Sequence, residues 1–124
     1  MAKTRMSATQ RTIRELRNQG RICAIAEKFN SHVGQFGIRQ DLFGFIDIVA
    51  LDPSRGIIGV QCFTTAHAEH YRKITQECHE EAVAWLQSGG RIELWGWRKL
   101  KVKRGGAAMR WTPRLTELTM EDFE

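Results

Sequence analysis

The stretch that decides the fold is residues 43–64. It reads Phe43-Gly44-Phe45-Ile46-Asp47-Ile48-Val49-Ala50-Leu51, then Asp52-Pro53-Ser54-Arg55-Gly56, then Ile57-Ile58-Gly59-Val60-Gln61-Cys62-Phe63-Thr64. Two short apolar runs rich in β-branched residues flank a five-residue link made of turn-forming residues, the pattern of a β-hairpin. A register centred on Ser54 sets Leu51 opposite Ile57, Val49 opposite Gly59, Asp47 opposite Gln61 and Phe45 opposite Phe63. Side chains alternate along a strand, so Asp47, Gln61 and Phe63 share one face. An aspartate inside an apolar strand is costly unless something pairs with it or binds it. Asp47 is therefore the first candidate for function, against the plainer reading that backbone N–H groups or Arg39 satisfy it.

Outward from the hairpin, the pattern alternates between periods. Ser7 caps a helix expected to run to Asn18, with Gly20 as its stop. Residues 22–29 form an apolar strand candidate, and residues 32–41 a loop broken by Gly34 and Gly37. In residues 65–88, Tyr71, Ile74, Cys78, Ala82 and Trp85 recur at helical steps and make one stripe. Glu69 and Lys73 stand at the spacing of an i,i+4 pair, and Gly89-Gly90 ends the helix. Residues 91–102 return as strand with an interruption at Gly96. From Lys103 onward the reading is a mobile loop holding Trp111 and then an acidic tail, residues 117–124. The order helix, three strands, long helix, strand gives one α/β domain over residues 1–116. Its central sheet is mixed and four-stranded, with the last strand parallel after a crossover helix.

Composition narrows the class. The chain has 124 residues, 42% hydrophobic and 27% charged, as in an ordinary globule. No run approaches the roughly 18 apolar residues of a membrane helix, and no apolar segment follows the basic N-terminus, so a cytoplasmic protein is expected. The three cysteines have no metal-ligand spacing with the four histidines, and read as reduced residues. No glycine loop has a phosphate-binding context. The net charge is +5, but the last eight residues hold four acids and no base. Bases crowd the N-terminal helix (Lys3, Arg5, Arg11, Arg14, Arg17, Arg21) and the C-terminal third (Arg91, Arg98, Lys99, Lys101, Lys103, Arg104, Arg110, Arg114). Such a body suits a polyanionic partner, with a solvated basic surface as the plainer reading. Arg14, Arg17, Arg39, Arg98, Lys99, Lys101, Lys103 and Arg104 are the candidate nucleic-acid contacts. Trp111 among the C-terminal bases suits stacking on exposed bases; Trp95 reads as packing, and Trp97 as either.

The element order and the Asp47/Gln61 hairpin resemble the PD-(D/E)XK nuclease superfamily, and within it the Holliday-junction-resolvase branch. Residues 39–51, 59–65 and 89–99 are similar to small phage and bacterial proteins of that restriction-endonuclease-like fold. The resemblance covers residues 8–102. It implies an aspartate on the second strand, at Asp47, then an acid at the place of Gln61, which can offer a metal only its neutral carbonyl oxygen, and a lysine at the place of Phe63. It also implies a glutamate on the first helix, where Glu15 is the one acid near. The implied activity is phosphodiester cleavage of branched DNA by a dimer, with Mg or Mn polarising the phosphate and activating water. Phenylalanine cannot replace the lysine, so the motif is degenerate.

Further residues can complete such a site. Glu27 on the first strand and Asp41 just before the second can add carboxylates. Lys73 on the crossover helix can substitute for the lysine, and His67 near that helix's start can act as base or phosphate contact. Each has a plainer reading: Glu27 as a solvated edge-strand acid, Gln61 as a structural amide, Lys73 as the partner of Glu69, His67 as a surface residue. Two other readings of the whole chain stand beside the nuclease: a non-catalytic nucleic-acid-binding module on the same scaffold, and a structural or assembly protein.

Overall fold

The computed structural model describes residues 5–32 and 34–124; Lys3 of the N-terminal basic cluster lies outside them. Helix α1 is Ala8–Asn18. Ser7 Oγ accepts from the Gln10 N–H at 3.1 Å, and Gln10 Oε1 accepts from the Ser7 N–H at 2.9 Å. This reciprocal cap satisfies two donors that the first turn would otherwise leave unpaired.

The hairpin forms in the expected register. Strand β1 is Ile22–Ile25, β2 is Lys28–Asn30, β3 is Ile38–Gln40, β4 is Ile48–Asp52 and β5 is Gly56–Phe63. Leu51 pairs with Ile57 and Val49 with Gly59, as the turn predicts. The strand starts at Ile48, however, and not at Phe43. Phe43 and Gly44 have φ of 54° and 84°, and the Leu42 N–H donates to the Ile46 carbonyl at 3.0 Å, so residues 42–46 curl into a turn. Phe45 thus reaches the core from a turn rather than across a ladder. Asp47 stands one residue off the ladder's end, its N–H bonded to the Val60 carbonyl at 2.8 Å.

The expected strand over 22–29 breaks at Ala26 and Glu27. Its first half pairs with β4; its second half turns away and pairs with β3, inside the expected loop. The first three strands of the main sheet are a meander, as expected, with a small two-stranded hairpin inserted between the first and the second.

The crossover helix has three parts: α2 at His67–Arg72, a π-helical turn at Lys73–Glu77 and α3 at His79–Gln87. The wide turn is closed by the Cys78 N–H on the Lys73 carbonyl at 2.9 Å. The crossover leads to β6, Arg91–Lys101, parallel to β5. Gly96 does not interrupt β6; the Phe63 ring lies on it, so close that a Cβ there would sit 2.9 Å from a ring carbon.

The C-terminal expectation fails most. Residues 109–118 form β7, Met109–Leu118, antiparallel to β6, and Met120–Phe123 form a 3-10 turn. Asp122 accepts from the Tyr71 hydroxyl at 2.9 Å, and Phe123 packs on the core, so the domain continues through the acidic segment. β7 accommodates Pro113 because it is an edge strand, where a missing N–H is tolerated. The sheet is therefore five-stranded and mixed, in the order β1-β4-β5-β6-β7, with β5/β6 its one parallel pair.

Alternation assigns the two faces. Ile48, Ala50, Ile58, Val60, Cys62, Trp95 and Trp97 pack under Leu16 of α1. Phe63, Ile92 and Leu94 pack under Ile74, Cys78 and Ala82 of the crossover helix. Burial of each large apolar side chain contributes about 1.5–3 kcal/mol. No helix among the described residues is long and apolar enough to cross a membrane.

A candidate metal centre

Asp47 and Gln61 meet on the crossover-helix face, where the end of β5 meets the segment leading into β4. Asp47 is buried, and its Oδ2 accepts from the Cys62 backbone N–H at 2.9 Å and from Gln61 Nε2 at 3.4 Å. Two more acids come from the inserted hairpin. Glu27 immediately precedes β2 and Asp41 immediately follows β3, so the ladder between these strands holds the two acids together at its base. Carboxylate oxygens of Glu27, Asp41 and Asp47 all lie within 4.8 Å of one another.

Lys73 completes the group. Its Nζ lies 3.3 Å from Asp41 Oδ2, the same oxygen that accepts from Gln61 Nε2 at 3.2 Å. The Lys73 ammonium thus pairs with Asp41 and not with Glu69, as the helical spacing had predicted. Lys73 opens the π turn, a device that re-aims side chains within a helix. Arg39 Nη1 pairs with Glu27 at 2.8 Å and leaves Asp47 alone.

Burial, then a hydrogen bond shared with Asp41, raises the Asp47 carboxyl from 3.8 to about 7. The bond from the Cys62 N–H opposes this but does not win. The ionised form needs a nearby cation to be comfortable here, and a divalent ion would supply it. The donor set is all oxygen, which suits Mg or Mn over softer metals. Carboxylates this close can share one divalent ion.

Gln61 plays a different part from the one expected of a metal ligand. It points its N–H group at the two aspartates and its Oε1 at His70 Nδ1, 3.4 Å away. It bridges like charges rather than offering them an oxygen. His70 was missed by sequence reasoning. It stacks on Phe63 with ring centroids 4.2 Å apart and planes 7° apart, and burial, with the Lys73 charge second, lowers its pKa. Its three-residue offset from Lys73 on the same helix was the signal that could have found it.

The other candidates fall elsewhere. His67 lies against the far edge of Phe63, its Nε2 3.4 Å from Thr116 Oγ1, and makes no contact with the acids. Glu15 sits on α1, bonded to Gln19 and lining a groove with Trp97 and Trp111 on the opposite face of the sheet. Arg14 and Arg17 are on that helix too, so the N-terminal basic cluster does not flank the acids. Trp111 is half-buried against α1, with Arg11 4.3 Å and Lys99 5.3 Å from its ring; it pins β7 to the helix instead of standing free in a loop. Trp97 is buried, its Nε1 donating to Thr12 Oγ1 at 2.8 Å, and Trp95 is buried with its Nε1 on Glu93 at 2.9 Å. Arg98, Lys99, Lys101, Lys103 and Arg104 are exposed.

Comparison with protein-family models, with curated proteins and with solved structures finds no match to this chain.

Proposed function

We propose that this chain is a metal-dependent DNA endonuclease of the PD-(D/E)XK kind, resolvase-like, whose lysine comes from the crossover helix. The observation that carries the reading is Lys73, 3.3 Å from Asp41 within a cluster that also holds Glu27 and Asp47. A lysine there compensates for Phe63, which occupies the motif lysine's place and instead supports His70 by stacking. Mg or Mn held by Asp47, Asp41 and Glu27 would polarise a phosphate oxygen and lower the pKa of a water. Asp47, fixed by the Cys62 N–H, orients the ligand set. Lys73 holds positive charge where the phosphate's charge develops, and Asp41 keeps its ammonium in place. Gln61 fixes the relative position of the two aspartates. Branched duplex is the substrate class the resemblance implies. Two symmetric cuts need two copies, so a homodimer in the cytoplasm belongs to this proposal.

One observation favours a second reading. Gln61 spends its donor hydrogens on the two acids, an arrangement that is satisfied without any ion. A binding module on a retired nuclease fold would keep such a bridge.

The test is cleavage of a labelled four-way junction, linear duplex and single strand in Mn and in EDTA. Wild type is compared with Asp47→Ala and Lys73→Met. The expected result is Mn-dependent cutting that Asp47→Ala abolishes and Lys73→Met slows by 10²-fold or more, with DNA binding retained. Binding without cutting in any metal would leave the module; cutting unchanged in Lys73→Met would remove the lysine from the chemistry.

A further inference from the structure

The pairing of β6 with β7 outruns the rest of the sheet. β5 stops opposite Gly96, at Phe63, but β6 and β7 continue for five more pairs, from Trp97 with Pro113 to Lys101 with Met109. At about 3.4 Å per residue, this two-stranded arm runs about 17 Å past the end of β5 before the turn over residues 102–108. The turn is ordered by the Val102 N–H on the Ala108 carbonyl and the Gly106 N–H on the Lys103 carbonyl, both at 3.0 Å. One face of the arm is braced by α1, through the Trp97–Thr12 bond and Arg11 over Trp111, which leaves the other face and the turn free.

Charge on the arm has one sign. Residues 94–116 contain seven bases and no acid. Arg98, Lys99, Lys101, Lys103, Arg104 and Arg110 are exposed, and none makes an ion pair among the described residues. Arg21, Arg39, Arg55 and Arg91 by contrast pair with acids, and a second unpaired basic group, Arg11, Arg14 and Arg17 on α1, lies away from the acid cluster. The arm's direction matters as well. β5 and β6 are parallel, so the arm leaves the sheet at the end of β5 where Gln61 and the acids lie. Arg98 and Arg114, at its base, line a groove with Phe63, the ring that stacks on His70 of that site.

We infer that the β6–β7 arm is a duplex-DNA grip that enters the major groove and sets the phosphate backbone across the acid cluster. A two-stranded ribbon fits a B-form major groove about 12 Å wide, whereas the deep, narrow major groove of A-form RNA excludes it. The acids themselves repel phosphate unless a cation is bound, so the hold on DNA must come from elsewhere, and the arm is the unpaired positive element that rises from the same end. This inference rests on the reading of the site as one that acts on DNA.

The experiment measures binding in EDTA, apart from cutting, to a 25-base-pair DNA duplex and an RNA duplex of the same sequence over a salt series. Wild type is compared with the triple variant Lys101→Gln, Lys103→Gln, Arg104→Gln, all exposed positions, with circular dichroism to check the fold. The slope of log K against log salt is expected to shrink by about 2–3 in the variant, and DNA affinity at 0.15 M salt to fall by at least tenfold. DNA is expected to bind at least tenfold tighter than RNA. An unchanged slope and affinity would overturn the arm as the grip, even if the protein cuts DNA. Equal affinity for the RNA duplex would overturn groove insertion. Arm-dependent DNA binding with no Mn-dependent cutting supports the arm and counts against the nuclease reading alone.

Discussion

Two buried acids in this molecule are treated in opposite ways. Glu93, on the α1 face of β6, is fully buried and faces two arginines. Arg55 Nη1 lies 2.7 Å from one oxygen; Arg21 Nη1 at 3.5 Å and the Trp95 indole N–H at 2.9 Å attend the other. Arg55 also reaches Glu117 at 2.7 Å, and Glu117 reaches Arg91 at 2.7 Å, so three arginines and the acids Glu93, Glu117 and Asp52 close into a balanced network. Asp47, on the other face, is buried beside two more acids, and the ammonium nearest to it belongs to Asp41. The first arrangement clamps the start of β6 to the β4–β5 turn. The second gathers three carboxylates at one place, which opposes folding and would be relieved by a bound cation.

The contrast breaks most visibly if each acid is removed. Glu93→Ala strands Arg55 and Arg21 without their buried partner and should cost about 3–5 kcal/mol in urea unfolding. A loss below about 1 kcal/mol would show that the network is not what holds β6 in place. Asp47→Asn should do the reverse in EDTA. A carboxyl whose folded pKa is raised from 3.8 to about 7 makes no difference to stability below pH 4, where both folded and unfolded chains are protonated. Between pH 4 and 7 the unfolded chain releases its proton first, so wild-type stability falls with rising pH, and above 7 the deficit is constant. At pH 8, Asn is expected to stabilise the protein by about 2 kcal/mol, or roughly 8 °C in Tm. That is half the ceiling set by the shift, because Asn also forfeits the charge-assisted bond from the Cys62 N–H. Equal melting of the two proteins across pH 4–8 would place Asp47 with Glu93, as a structural acid.

The sequence could show Asp47 but not Glu93, and the reason is local. Asp47 interrupts an apolar run next to a strong turn, so both its strand and its register were legible. Glu93 is one charge among many, and its partners stand 38 and 72 positions away in the chain, a separation that no periodicity reports. The inserted β2–β3 hairpin was hidden for a related reason. Three-residue strands carry too little alternation to read, yet they decide where Glu27 and Asp41 sit. Lys73 was readable as a helix residue, but the obvious partner at that spacing was Glu69. Only the π turn and the placement of Asp41 make the other pairing. The arm was hidden because its second strand follows the glycine pair Gly105-Gly106 and leads into acids, a composition that reads as loop and tail.

The smallest effect sharpens the contrast from inside the site. Gln61 donates to Asp41 and Asp47, so Gln61→Glu replaces a bridge between two acids with another acid of nearly the same shape. If the cluster is only a packed polar core, the exchange destabilises the fold and brings no gain. If the cluster takes a divalent ion, the new carboxylate is an added hard ligand pointed at that ion, and it also restores the acid that the resemblance expects at this position. Calorimetric titration with Mn is therefore expected to show affinity about tenfold higher in Gln61→Glu than in wild type, about 1.4 kcal/mol. His70 would respond as well: its Nδ1, now 3.4 Å from an amide oxygen, would face a carboxylate, which favours the protonated ring. A folded Gln61→Glu protein with unchanged or weaker Mn affinity would mean that the amide's neighbours form a hydrogen-bonded core, and that the acids beside it are held, like Glu93, for structure.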